Sequence, residues 1–293
     1  MGNMEFSYIS NGELVVPSSD GKTSITKMLG YNNFIGRSCP LSFDMDKPFW
    51  DSLPGTVVGK EEKYVYMTFE AVEAAIKAIP FCIPVICLDA CSIRSAHTEG
   101  VMLAATVATT EMKLLTVCIG TALGEVNDAW DFFLTNFREA LRRYCPEFLK
   151  SKLVFMSDRH KGLLKGVKTR LPNAHHFFCI LHIIRNLRNL KGKRHSLWKA
   201  AEADSECEFI FHFKNFLLKC SKTQELYEHR GSWSRYAILE KCRRYGVRTN
   251  NWAEIQNNAM KFLRGGSVLT VLHKFFLYTS EKVREYHTRA ETL

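Results

Sequence analysis

The chain has 293 residues, of which 46% are hydrophobic and 24% charged, so it has enough apolar material for a buried core. Its ten cysteines include no C-x-x-C pair, which argues against a disulfide framework and favours free thiols. We see no secretory signal, and the longest apolar run, interrupted by Pro80 and Pro84, is about half the length of a membrane-spanning helix. We therefore expect a globular intracellular protein whose formal charge of +10 is compatible with a polyanionic partner.

The predicted elements begin with residues 1–80, where weak periodicity predicts loops, short strands and one helix from Thr68 to Ile79. Three apolar runs follow, PVICLDA, GVMLAATVAT and LLTVCIGTAL, and their close spacing predicts antiparallel strands. Helices and strands then alternate. The helices are NDAWDFFLTNFREALRRYC, HKGLLKGVKTRL and LHIIRNLRNLK, and the strands are KLVFMSD and AHHFFCI.

Residues 192–248 are dense in charged and aromatic residues, which favours an all-helical insertion. NNWAEIQNNAMKFLR then predicts a helix with Trp252, Ile255, Ala259 and Phe262 on its apolar stripe, and one more helix follows. This order predicts an α/β fold with a mixed five-stranded sheet and helices on both faces, as in RNase H-like proteins. The sequence predicts four divisions. Residues 1–80 form an N-terminal region and residues 81–191 the first part of the core. Residues 192–248 form the insertion, and residues 249–293 form the helices that complete the core.

Two of the predicted strands end in an aspartate, Asp89 and Asp158. If these strands are parallel neighbours, both carboxylates lie at one edge of the sheet, where such sheets bind ligands. Their mutual repulsion requires a proton or a cation, and oxygen ligands select Mg²⁺ or Mn²⁺. Glu254, on a helical polar face, is the candidate for a third acid. Two alternatives stay open: either aspartate, Asp158 above all, could cap a helix or close a turn, and Glu254 could be a solvated surface residue.

Three segments resemble the transposases of Mutator-like elements: VICLDACS, GEVNDAWDFFLTNFREAL and LVFMSDRHKGLLKGVKTRLPNAHHFFCILHIIRNLR. The S-D-R, K-G-L, P-N-A-H and C-x-x-H patterns of the last segment carry most of the resemblance. TNNWAEIQN is similar to the family's short segment that bears asparagine and glutamate. Ala90 departs from the pattern, because the family often has glycine after its first aspartate.

The resemblance implies an RNase H-like core in which Asp89, Asp158 and Glu254 form a catalytic triad that binds two Mg²⁺ or Mn²⁺ ions. It implies DNA cleavage and strand transfer at transposon ends, with terminal repeats and target DNA as partners. A nuclear location follows from the same resemblance, and a homo-oligomer on DNA stays open. Two other functions remain: a domesticated, non-catalytic DNA-binding protein, and an RNase H-like nuclease.

Cys179 and His182 form one C-x-x-H, too few ligands for a zinc site, and the family carries both. We expect them near the active centre, packed or hydrogen-bonded there. Two basic clusters could neutralise phosphates, although solvated helix faces explain them equally well. Their candidate nucleic-acid-binding residues are Arg159, Lys161, Lys165, Arg185 and Arg188.

Overall fold

The structure, a computed structural model, describes residues 7–9, 13–17, 23–31, 64–94, 99–150, 153–187, 194–217, 223–239 and 245–291. The strands in these ranges are β1 (Ser7–Ile9), β2 (Glu13–Pro17), β3 (Thr23–Tyr31), β4 (Tyr64–Val72), β5 (Ile83–Arg94), β6 (Glu99–Ala108), β7 (Leu114–Ala122), β8 (Val154–Ser157) and β9 (His175–Phe178).

The helices in the same ranges are α1 (Glu73–Ala78), α2 (Asn127–Tyr144), α3 (Pro146–Lys150), α4 (Lys161–Arg170), α5 (Ile180–Asn186), α6 (Arg194–Glu202), α7 (Glu206–Leu217), α8 (Thr223–Glu228), α9 (Arg235–Leu239), α10 (Asn251–Ala259) and α11 (Val268–Glu291). Three-residue 3₁₀ turns lie at Ile79–Phe81 and Arg230–Ser232, and a longer one at Met260–Gly265. None of the described helices is long and apolar enough to cross a membrane.

The described strands form one mixed sheet in the order β1-β2-β3-β4-β7-β6-β5-β8-β9. In this sheet order, the adjacent strands from β1 through β7 and β6 to β5 pair antiparallel. The pairs β5–β8 and β8–β9 are parallel. The α/β class and the RNase H-like order are confirmed, and the described parts of residues 192–248 contain helices and no strand. The sheet is larger than the predicted five strands, because β4 joins β7 and connects it to three further N-terminal strands.

The helix predicted from Thr68 was wrong in its first part, because Thr68 lies within β4 and α1 begins at Glu73. The Thr68 hydroxyl lies 2.7 Å from the Thr121 hydroxyl on β7, and both side chains are buried. The cross-strand pairing of β4 on both sides therefore overrides the local helical spacing of this segment.

Side chains that alternate along β5 and β8 form two separate cores. Ile86, Leu88 and Phe155 belong to the larger one, which also contains Trp130 and Phe133 of α2. The side chains on the other face of β5 and β8 form the second core. Residues of α10 and of the segment just before it complete this core. Its members from β5, β8 and α10 are Val85, Cys87, Val154, Met156, Trp252 and Ala253.

The seven cysteines within the described ranges are free thiols, as the sequence predicts. Cys82, Cys87 and Cys118 are buried free thiols. Burial raises the pKa of the Cys82 thiol to about 11, so this thiol is protonated at neutral pH.

We predict that Gly120→Ala destabilises the protein by about 1–3 kcal/mol, the usual cost of overpacking. An added Cβ at Gly120 would lie 2.9 Å from the Thr68 carbonyl oxygen and 2.9 Å from the Phe133 ring. Urea unfolding measures the change. Gly124→Ala is the matched control, because an added Cβ there meets no atom within 4 Å. Equal effects of the two substitutions would contradict the close packing of α2 on β7.

Candidate active site

Asp89 and Asp158 occupy matching positions on neighbouring parallel strands. Ile86 pairs with Phe155 and Cys87 with Met156, so the same register continued by two residues sets Asp89 opposite Asp158. By alternation, both side chains fall on the face of Cys87 and Met156, which is the face covered by Trp252 and Ala253 of α10.

The expectation that the first strand ends at Asp89 was wrong. β5 continues to Arg94, and Asp89 is paired with Ala104 of β6. Asp158, by contrast, directly follows β8, which ends at Ser157. Asp89 thus stands where β5 loses its parallel neighbour β8 and keeps its antiparallel neighbour β6.

The Asp89 carboxyl group has a pKa raised to about 7, mainly because its burial disfavours the charged form. The Asn257 side chain opposes this shift by donating a hydrogen bond, with Nδ2 2.8 Å from Asp89 Oδ2. The negative charges of Asp158, Glu254 and Glu125 each raise the pKa further. Asp89 is therefore the centre of an acidic cluster that favours a bound proton or cation.

Helix α10 is fixed to the sheet by side-chain amides. Asn250, directly before the helix, donates from Nδ2 to the Leu88 carbonyl oxygen at 2.8 Å. Asn257 reaches Asp89, and Gln256 donates from Nε2 to the Leu114 carbonyl oxygen at 2.7 Å. Asn250 and Asn257 lie seven residues apart, about two helical turns, so they bracket Glu254 against β5.

The apolar stripe expected on this helix was wrong. Ile255 and Phe262 are 47% and 52% exposed, whereas Gln256 and Asn257 are buried with Trp252. Amides that satisfy strand carbonyls and the Asp89 carboxylate replace apolar contacts on this face. Sequence reasoning missed Asn257, although two asparagines spaced by seven residues around a glutamate were a usable signal.

Glu254 lies close enough to Asp89 for its charge to raise the Asp89 pKa. Its Oε1 also accepts a hydrogen bond from Arg185 Nη1 at 3.2 Å and lies 3.7 Å from His182 Nε2. The structure therefore brings the third predicted acid to the cluster, where it is paired with a cation from α5.

Asp158 is oriented by the turn that leads into α4. Its Oδ1 accepts a hydrogen bond from the His160 backbone N–H at 3.0 Å, and His160 itself is the N-cap, accepting from the Gly162 N–H. One carboxylate oxygen of Asp158 therefore closes a turn, as one of the alternatives predicted. The residue that caps α4 is His160 and not Asp158.

Glu125 is a fourth acid at this cluster that sequence reasoning did not single out. Its Oε1 accepts from Trp130 Nε1 at 3.1 Å and lies 3.9 Å from His160 Nδ1. The acid-then-tryptophan pattern, GEVNDAW, contained the signal.

The C-x-x-H pair is split between two environments. Cys179 is completely buried in the core shared by β5, β8 and α10, and burial raises its thiol pKa. His182 faces Glu254 through Nε2, while its buried Nδ1 has no hydrogen-bond partner among the described residues.

The predicted basic residues have different surroundings. Lys161 and Lys165 are exposed on α4. Arg159 donates to Glu225 of α8 at 2.8 Å, and Arg185 is paired with Glu254. Arg188 lies outside the described residues.

Oxygen atoms dominate the possible ligands at this cluster. Besides the carboxylates, the buried Asn257 Oδ1 has no hydrogen-bond partner within the described part of the chain. Hard oxygen donors suit Mg²⁺ or Mn²⁺, and a cation would relieve the repulsion at Asp89. Across the described ranges, however, no three His, Cys, Asp or Glu side chains are already arranged around one metal position. The residues thus supply the type of ligand that such ions prefer. Glu254, however, is paired with Arg185.

We predict that Asp89→Asn stabilises the metal-free protein at pH 8 by a few kcal/mol. In the wild type, the folded protein holds a proton at Asp89 up to about pH 7, whereas the ordinary pKa of an aspartate, which applies to the unfolded chain, is 3.8. Between these values the folded state binds more protons than the unfolded state, so stability falls as pH rises. The gain should therefore disappear near pH 4, which urea unfolding at several pH values measures.

Asp131→Asn is the control, because Asp131 is an exposed partner of Arg170. If Asp89→Asn were the less stable protein at pH 8, the burial of an unfavourable charge at Asp89 would be refuted.

Comparison with known proteins gives one family. Residues 85–186 match the family model of the MULE transposase domain. A search of curated proteins found no match to the chain. The matched range contains Asp89, Asp158, Cys179 and His182, and it ends before Glu254. Residues 85–186, with their RNase H-like strand order, are therefore similar to the MULE transposase domain of Mutator-like elements.

Proposed function

We propose that this protein cleaves and joins DNA strands at the ends of a transposable element, with Asp89, Asp158 and Glu254 as its catalytic carboxylates. The observation that carries the proposal is the register of β5 and β8, which sets Asp89 opposite Asp158 on the face covered by α10. The match to the MULE transposase domain supports the same chemistry.

In this proposal Asp89 and Asp158 hold two Mg²⁺ or Mn²⁺ ions together with Glu254. When bound, such an ion pair activates the attacking oxygen and stabilises the leaving oxygen in an in-line displacement at phosphorus. Asn257 keeps one oxygen of Asp89 in place, and the His160 N–H does the same for Asp158. Both hydrogen bonds reduce the reorganisation needed when substrate arrives.

Glu254 is proposed to exchange its present partner for a metal ion. Its Arg185 pair is a solvent-accessible contact, with the Arg185 side chain 58% exposed, and such pairs contribute at most about 1 kcal/mol. A released Arg185 guanidinium would then be available for a DNA phosphate beside the site.

The proposed DNA path runs along the N-terminal part of α4. Lys161 and Lys165 are exposed there, and Arg159 adds a cation that Glu225 now holds. Phosphate contacts of this kind position a duplex without reading its sequence. Action on chromosomal or element DNA in the nucleus is part of the same proposal.

We expect Asp158→Asn to reduce metal-dependent cleavage by at least about a hundredfold, because a metal ligand contributes several kcal/mol to transition-state stabilisation. Purified protein is incubated with Mg²⁺ or Mn²⁺ and duplex DNA from the inverted repeats that flank the gene, and nicked products are measured. Glu254→Gln should show a comparable loss.

Asp131→Asn is again the matched control and should cleave like the wild type, since Asp131 pairs with Arg170 on the surface. Tight DNA binding without cleavage by the wild type would instead favour a domesticated DNA-binding protein. Cleavage confined to RNA–DNA hybrids would favour an RNase H-like nuclease.

A further inference from the structure

A cleft of about 420 Å³ lies where the helical insertion meets the core, which is within the usual size range of ligand pockets. Its walls come from the β6–β7 hairpin, from α6, from residues 245–249 and from the start of α10. The residues that matter here are Met112, Trp198, Tyr245, Arg248, Asn251 and Trp252.

Two of the lining side chains are held by unusual backbone conformations. Met112 has φ 63° and Tyr245 has φ 50°, and these are the non-glycine residues with positive φ among those described. Both side chains are large and apolar, yet they are 57% and 52% exposed. The hairpin turn between β6 and β7 accounts for Met112, whose N–H donates to the Thr109 carbonyl oxygen at 2.9 Å, so the conformation at Tyr245 is the one left to explain.

The turn at Tyr245 has a conformation that suits other residues better. Gly246 follows with φ 79°, so two consecutive residues are left-handed. Asparagine and aspartate are the usual side chains at the first of two such positions. A tyrosine that is neither buried nor favoured by its backbone requires another explanation, and a bound ligand supplies one.

The cleft is next to the candidate active site through α10. Asn251 lines the cleft, and Glu254 follows three residues later on the same side of the helix. Side chains with this spacing have Cβ atoms about 5–6 Å apart. A nucleotide whose phosphate lies near Glu254 therefore has a neighbouring base within reach of the cleft.

The chemistry of the lining suits a planar, polar-edged ring. Trp198 is half-buried and Tyr245 half-exposed, so both offer aromatic surface, while Thr249 and Asn251 add polar groups for the edge of a base. Arg248 adds a cationic side chain, now paired with Glu202. Stacking on aromatic side chains is the general way in which proteins hold unpaired bases.

We propose that this cleft binds an unpaired nucleobase of the DNA strand next to the scissile phosphate, stacked on Tyr245 and Trp198. The inference rests on the proposed function for the identity of the ligand. Base binding at the cleft itself does not require the acidic cluster, so the two can be tested separately.

The experiment measures binding of a fluorescein-labelled oligothymidylate about 16 nucleotides long to the full chain, by anisotropy, in EDTA and at fixed salt. Tyr245→Asn removes the ring and fits the left-handed backbone better, so the protein should keep or raise its Tm. We expect its affinity to fall about tenfold, the loss that one stacked base supports. Tyr245→Phe should retain wild-type affinity.

Phe211→Ala is the matched control, because Phe211 is an aromatic residue of the insertion that is 64% exposed and does not line the cleft. It should bind the oligonucleotide like the wild type.

Three results would overturn the inference: no oligonucleotide binding by the wild type, unchanged binding by Tyr245→Asn, or an equal loss in Phe211→Ala. Unchanged binding by Tyr245→Asn, with cleavage lost in Asp158→Asn, would reject the cleft and leave the proposed function intact. Wild-type binding of a tryptophan-containing peptide in place of the oligonucleotide would assign the cleft to a protein partner and reject the base.

Discussion

The buried negative charge at Asp89 is the constraint on which the rest of the site depends. Burial and the neighbouring charges of Asp158 and Glu254 raise the pKa of this carboxyl group to about 7, so its ionised form is costly without a compensating cation. A fold that placed Asp89 there for stability alone would do better with a neutral side chain. Perturbed acids in such settings are typical of functional sites, where stability is given up for chemistry.

Helix α10 joins the sheet, the acidic cluster and the aromatic cleft. Its amide contacts to Leu88 and Asp89 fix the height of Glu254 above β5, and Asn251 at its first turn faces the cleft. The amide pairing is directional, so it sets the position of the helix more narrowly than apolar packing would. The pairing of Glu254 with Arg185 then links the same helix to α5.

The order of the elements along the chain from β5 to α11 could be predicted from sequence, because buried strands give clear apolar runs. The parallel pairing of the strands that carry Asp89 and Asp158 was anticipated for the same reason. The extra strand β4 could not be predicted, since Thr68 has local helical spacing and becomes a strand residue only by pairing with Thr121. The face of α10 was misjudged for a related reason: apolar periodicity favoured Ile255 and Phe262, whereas long-range amide contacts bury Gln256 and Asn257. Contacts between residues distant in sequence decide such cases.

The most direct test of the acidic cluster is anomalous X-ray scattering from crystals of the protein soaked with Mn²⁺. The account predicts a manganese peak in contact with carboxylate oxygens of both Asp89 and Asp158, with the Glu254 side chain turned away from Arg185 and toward the ion. A peak that contacts neither aspartate, or a fully soaked crystal with no manganese beside β5 and β8, would contradict it.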